Sequence, residues 1–295
     1  MQEGQFYSEL HFDKWDVAFL GKHSDERGKA ACDFLKPNSS EVFAIEYKPE
    51  DFQIVVNDKV IEVDDLDDNL PNFVGKSVIV ESTTLGFAEI IIVLKALINQ
   101  GVNGISFLYL EPGSYYRQQQ NNVLHRRDFD LSKQIPGFQA IPGFSFLLTE
   151  ESVQKVVFFP GYESARLERA LEDYQMIKSE RCILVFGVPA FKAGWEMNSF
   201  ANNLRIIKEK RLSGDIYYGA ANNPLATIDL LNKIRNGLQE DEQMFVVPLG
   251  TKPEKIGIAL FVLINNNIGL LYDHPEVLQG RTDKVSKWHL YEVAI

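Results

Sequence analysis

The feature that most constrains this chain is the order of its apolar runs. Short β-rich segments repeatedly give way to a turn of Gly, Pro, Asn, Ser or Thr and then to a helical pattern. Trp15–Leu20, Glu41–Tyr47, Ser77–Ser82, Gly104–Leu110, Lys155–Pro160, Arg181–Val188, Ile216–Ala220, Met244–Leu249, Ile268–Tyr272 and Trp288–Val293 read as strands. Phe52–Val56 and Val60–Val63 flank Asn57-Asp58-Lys59 as a hairpin. Strands that alternate with helices of about 10–15 residues demand right-handed crossovers and parallel pairing. The expected fold is α/β, with a large, mostly parallel, doubly wound, Rossmann-like sheet. Near-continuous apolar strands agree with a sheet covered on both faces.

Two helices, Leu85–Ile98 and Glu254–Ile264, are apolar almost all round, so each is expected to be buried on every side. They belong to an apparent internal repeat. Val78–Val80, a polar turn, a helix ending Ile98-Asn99 and then Tyr109-Leu110-Glu111-Pro112 form the first copy. Val246–Pro248, a polar turn, a helix ending Ile264-Asn265 and then Tyr272-Asp273-His274-Pro275 form the second. Tyr115 to Ile141 breaks the pattern with a Gln- and Asn-rich run and the basic His125-Arg126-Arg127. The expected organisation is a lobe at 1–113, a loop or linker at 114–150 and a lobe at 151–295, or one continuous domain.

A chain of 295 residues with 45% apolar and 24% charged residues is ordinary for a globular protein, which excludes a disordered, coiled-coil or collagen-like chain. Its net charge of −11 disfavours bulk nucleic-acid binding. Two cysteines, Cys32 and Cys182, cannot make a disulfide framework. Met1–Gly4 lacks a signal-like start and no apolar run approaches the roughly 18 residues of a membrane span. The expectation is a cytoplasmic protein without a membrane segment, bound to a protein partner or to copies of itself.

Ligands of open parallel sheets bind beyond the carboxyl ends of the strands, where helix N-termini present free N–H groups. That rule selects Ser82, Thr83 and Thr84; Gly161, Ser164 and Arg166; Asn222; and Gly250, Thr251 and Lys252. In the last group, glycine admits close backbone approach, while threonine and lysine bond and neutralise an anion. An ordinary capped helix start would use the same residues. Glu81, Asp273 and His274 stand at strand ends where a general acid or base would act. No metal site is expected, because the five histidines are scattered and the run Asp64–Asn69 lacks an EF-hand's glycine and terminal glutamate. Neither a P-loop nor a G-x-G-x-x-G fingerprint occurs, and no cofactor is expected.

The Leu249-Gly250-Thr251-Lys252 turn, opening an apolar helix within Met244–Ile264, resembles the late-strand motif of CARF-type Rossmann-like domains, with one glycine where that family often has two. The resemblance implies a sensor of nucleotide ligands in prokaryotic antiviral defence, with Gly250, Thr251 and Lys252 at ligand-contacting positions. The favoured expectation is therefore a sensor or regulatory protein for a small nucleotide-like anion. An enzyme acting on a nucleotide or sugar-phosphate, and a non-catalytic assembly subunit, are the alternatives.

Overall fold

The computed structural model describes residues 1–115, 129, 131–146, 153–212, 214–238, 242–265 and 267–294. Most of the Tyr115–Ile141 stretch, including Arg117 and His125-Arg126-Arg127, lies outside them. The fold is mixed α/β, with a large mixed sheet and a smaller parallel one. The chain divides into two compact units, Met1–Tyr116 with Val277–Ile295, and Arg117–Glu276. The expected second lobe ran to residue 295. Instead the final strand is an antiparallel partner of the first unit's sheet, a long-range pairing that sequence order does not announce.

The first unit is built on eight strands: β1 (Gln2–Gly4), β2 (Trp15–Leu20), β3 (Ser39–Lys48), β4 (Gln53–Val56), β5 (Lys59–Glu62), β6 (Val78–Glu81), β7 (Gly104–Tyr115) and β15 (Thr282–Ala294). Their order is β1-β15-β7-β6-β2-β3-β4-β5. The four central strands, β3-β2-β6-β7, are parallel. The hairpin β4-β5 extends one edge antiparallel, and β15 with β1 extends the other. The sheet is therefore mixed rather than mostly parallel. Helix α1 (Glu26–Asn38) packs Ala31, Cys32, Phe34 and Leu35 on Ala18, Leu20, Ile79, Leu108 and Leu110. The short helix α2 (Leu66–Asn69) follows β5, and α3 (Phe87–Asn99) joins β6 to β7.

The second unit has a wholly parallel sheet of β9 (Val153–Phe159), β10 (Cys182–Gly187), β11 (Ile216–Gly219), β12 (Gln243–Pro248) and β13 (Ile268–Leu270). The order is β11-β10-β9-β12-β13, so winding reverses between β9 and β12. Helices α4 (Ser164–Asp173), α5 (Trp195–Glu209), α6 (Pro224–Arg235) and α7 (Lys252–Ile264) follow the first four strands in turn. Strands β8 (Ser132–Gln134) and β14 (Glu276–Val277) form a separate two-stranded ladder. The core buries Val156, Phe158, Leu184, Phe186, Phe245 and Val247 against Leu167 and Leu171 of α4 and Ile206 of α5.

As expected, α3 and α7 are buried nearly all round. The two copies of the sequence repeat occupy equivalent places, each the strand-helix-strand that begins where winding reverses: β6-α3-β7 and β12-α7-β13. Among the described residues no helix is long and apolar enough to cross a membrane.

At both reversals a glycine presses one turn on its neighbour. A Cβ at Gly161, after β9, would lie 2.6 Å from the Leu249 carbonyl oxygen; one at Gly21, after β2, would lie 2.8 Å from the Thr84 carbonyl carbon. Backbone cannot retreat as a side chain does. Gly161→Ala is expected to cost about 1–3 kcal/mol, read as a lower urea midpoint at unchanged slope.

Candidate functional site

The carboxyl edge of the second unit's sheet gathers most of the residues selected from sequence. Thr251 is the N-cap of α7, and its hydroxyl donates to the Ala221 carbonyl at 2.6 Å, joining the turn before Asn222 to the Gly250 turn. Arg166, in the first turn of α4, donates from Nη1 to the Leu249 carbonyl at 3.2 Å. Gly161, Ser164, Asn222, Gly250, Thr251 and Lys252 are all half-buried along this edge. Asn223 caps α6, accepting from the backbone of Leu225 at 3.0 Å and Ala226 at 3.4 Å, with Pro224 at the first helical position.

Much of the edge chemistry is turned inward. The Arg166 fork grips Asp273 at 2.6 Å from Nε and 2.7 Å from Nη2, and both residues are buried. Burial pushes the Asp273 carboxyl up, but the Arg166 charge and fork outweigh it and hold the carboxyl below its usual range. Asp273 is thus an ionised counter-ion that locks α4 to the segment after β13. His274 places Nε2 3.3 Å from the Gln139 carbonyl, and burial lowers its pKa.

Helix α7 begins with a capping box. The Thr251 amide donates to Glu254 Oε2 at 2.6 Å and the Glu254 amide to the Thr251 hydroxyl at 3.4 Å. Gly250 does allow close approach, but the group packed against it is the Glu254 carboxyl. Burial pushes Glu254 up to about 7 against the bonds from Thr251.

Sequence reasoning missed the residues that shape the Gly161 turn. Ser199 of α5 donates to the Pro160 and Gly161 carbonyls at 3.3 and 2.9 Å. Asn202 donates to the Tyr162 carbonyl at 2.7 Å, and Asn203 to that of Gly161 at 3.0 Å. The signal was present as the polar triplet Ser199, Asn202 and Asn203, at i, i+3 and i+4 on one face of a helix.

Ser82, Thr83 and Thr84 lie in the first unit, after β6. Glu81, fully buried, accepts from the amides of Thr83 at 2.6 Å and Thr84 at 2.8 Å and from the Thr84 hydroxyl. The Thr84 hydroxyl in turn accepts from the Gly21 amide at 2.9 Å, and the Thr83 hydroxyl accepts from the Leu110 amide at 3.0 Å. The Ser82 hydroxyl reaches the Val80 carbonyl at 3.5 Å. Burial raises the Glu81 carboxyl, with these donors opposing it. Glu81 closes its own turn instead of facing solvent. Cys32 and Cys182 are both buried free thiols raised to about 12 by desolvation, which makes them unreactive. Among the described residues no group of three or more His, Cys, Asp or Glu side chains could hold a metal ion.

No family model and no curated protein matches this chain. Among solved structures it is similar to a periplasmic ribose ABC transporter from Conexibacter woesei DSM 14684, at 12% identity over 96% of this chain and 92% of that one, with a TM-score of 0.21. A likeness at that TM-score carries nothing about fold or ligand.

Two outcomes follow from the buried groups. Asp273→Asn strands the Arg166 charge and is expected to cost about 3–5 kcal/mol in chemical unfolding. Glu254 holds its proton more tightly folded than unfolded, so its contribution is complete below the usual 4.5 and is lost as pH rises through about 7. A stability profile across that window should fall by up to about 3 kcal/mol in the wild type, and Glu254→Gln should flatten it.

Proposed function

We propose that this protein is a Rossmann-like sensor or regulator that binds a small nucleotide-like anion at the carboxyl edge of its second unit, without turning it over. The observation that carries the reading is the winding reversal between β9 and β12, which sets the Gly161 and Gly250 turns against each other. Open α/β sheets take their ligands outside such a reversal. Ser164, Asn222 and Lys252 supply a hydroxyl, an amide and a cation at the half-buried rim, above a floor fixed by Arg166–Asp273 and Thr251–Glu254.

Asp273, the carboxylate at this edge that would do acid–base work, is engaged in holding that floor, which favours binding over catalysis. A rim held so firmly suits a regulator that passes its ligand state to a protein partner or a second copy. The setting of prokaryotic defence rests on the resemblance of the Gly250–Lys252 turn alone.

A thermal-shift series with mononucleotides and cyclic oligonucleotides is the test. A ligand selective for the native state stabilises it by about 2.7 kcal/mol at roughly 100 times Kd. Lys252→Ala should remove that shift and leave the unliganded melting temperature in place. Product accumulating with turnover, or a shift indifferent to Lys252, would sink the proposal.

A further inference from the structure

The first unit holds a second charged corner, at the start of α1. Asp25 is the N-cap of α1, accepting from the Gly28 amide at 2.8 Å and from the Thr282 hydroxyl. The Gly280 amide donates to the Ser24 carbonyl at 2.9 Å, so the start of β15 is fastened to the start of α1. Arg27, only 3% exposed, donates from Nη1 to the Leu110 carbonyl at 2.7 Å and to the Tyr109 hydroxyl at 3.3 Å; its Nη2 lies 3.7 Å from Asp25. Arg281 precedes Thr282 at the start of β15. The Nε atoms of Arg27 and Arg281 are both buried and, among the described residues, have no hydrogen-bond partner.

A buried guanidinium is normally paired, since stranding one costs several kcal/mol. Here the carboxylate beside Arg27 is Asp25; burial pushes its carboxyl up, but Arg27, Thr282, Gly28 and Arg281 outweigh that and hold it below its usual range. Desolvation and then the charge of Arg27 lower Arg281. Two guanidiniums, one carboxylate and the roughly half charge of a helix start leave an excess of about +1.5. A phosphate ester carries about −1.5 to −2 at neutral pH and offers three acceptor oxygens, whereas a carboxylate offers one charge and two oxygens.

We propose that the corner made by Asp25, Arg27, Tyr109, Arg281 and Thr282 binds a phosphoryl group. It is independent of the second unit's rim, and nothing in the sequence reading pointed to it. Arg27 is the fixed base of the site, held by Leu110 and Tyr109, and the half-buried Arg281 is its second guanidinium. The start of α1 sits at the carboxyl end of β2, beside the winding reversal between β2 and β6.

Calorimetric titration of the full chain tests this, with inorganic phosphate and glycerol 3-phosphate as separate arms against chloride at equal ionic strength. Binding by both assigns the corner to phosphate esters; binding by inorganic phosphate alone assigns it to the free anion. Arg281→Gln, at the more exposed position, should retain the fold and weaken binding by at least about tenfold. Arg281→Lys keeps the charge without the fork and should fall between. Lys14→Gln, an exposed charge change outside this corner, should match the wild type. No heat from the wild type at millimolar phosphate, or equal affinity in both Arg281 variants, overturns the proposal.

Discussion

A parallel sheet delivers its helices with their N-termini at one edge, and the N–H groups collected there must find acceptors. This chain answers at its central helices with carboxylates of its own. Glu254 closes the first turn of α7, and Glu81 gathers the two amides and the hydroxyl of the turn before α3. Both are buried, and both are raised by burial despite their donors. These internal acceptors allow the helices at each winding reversal to sit deep in the structure, apolar on nearly every side.

The same arrangement decides where an external anion is welcome. A helix start whose first amide is already taken by a glutamate side chain has fewer donors left for a phosphate, so the second unit's rim has to draw on Lys252 and on the hydroxyl and amide groups around it. The start of α1 differs, because Asp25 is outnumbered by Arg27 and Arg281. Two corners built on the same topology thus differ in what offsets their helix starts, within a chain whose overall charge is −11.

Period and turn chemistry made the parallel strands and their helices legible. Trp15–Leu20 and the hairpin around Asn57-Asp58-Lys59 were readable because apolar runs bounded by turn residues carry local information. The antiparallel return of β15 was not legible, since pairing between Thr282–Ala294 and β7 depends on partners far apart in sequence. At the edge, the Gly250-Thr251-Lys252 turn could be found by eye, and so could its alternative as a capping box, because Glu254 stands at the required offset from Thr251. The Arg166–Asp273 pair joins residues 107 apart, and no spacing rule connects them.

Arg27 shows why charge is hardest to read from sequence. In Asp25-Glu26-Arg27-Gly28-Lys29 it looks like one more solvated residue of a helix start, and its neighbours Glu26 and Lys29 are indeed exposed or half-buried. It is buried because the second position of α1 faces the middle of β7, where the Leu110 carbonyl and the Tyr109 hydroxyl meet it. Its unsatisfied Nε becomes significant only beside Arg281, which is 254 residues away and arrives with β15. The strand whose pairing was hidden in the sequence is therefore the one that turns an ordinary helix start into a site with cationic excess.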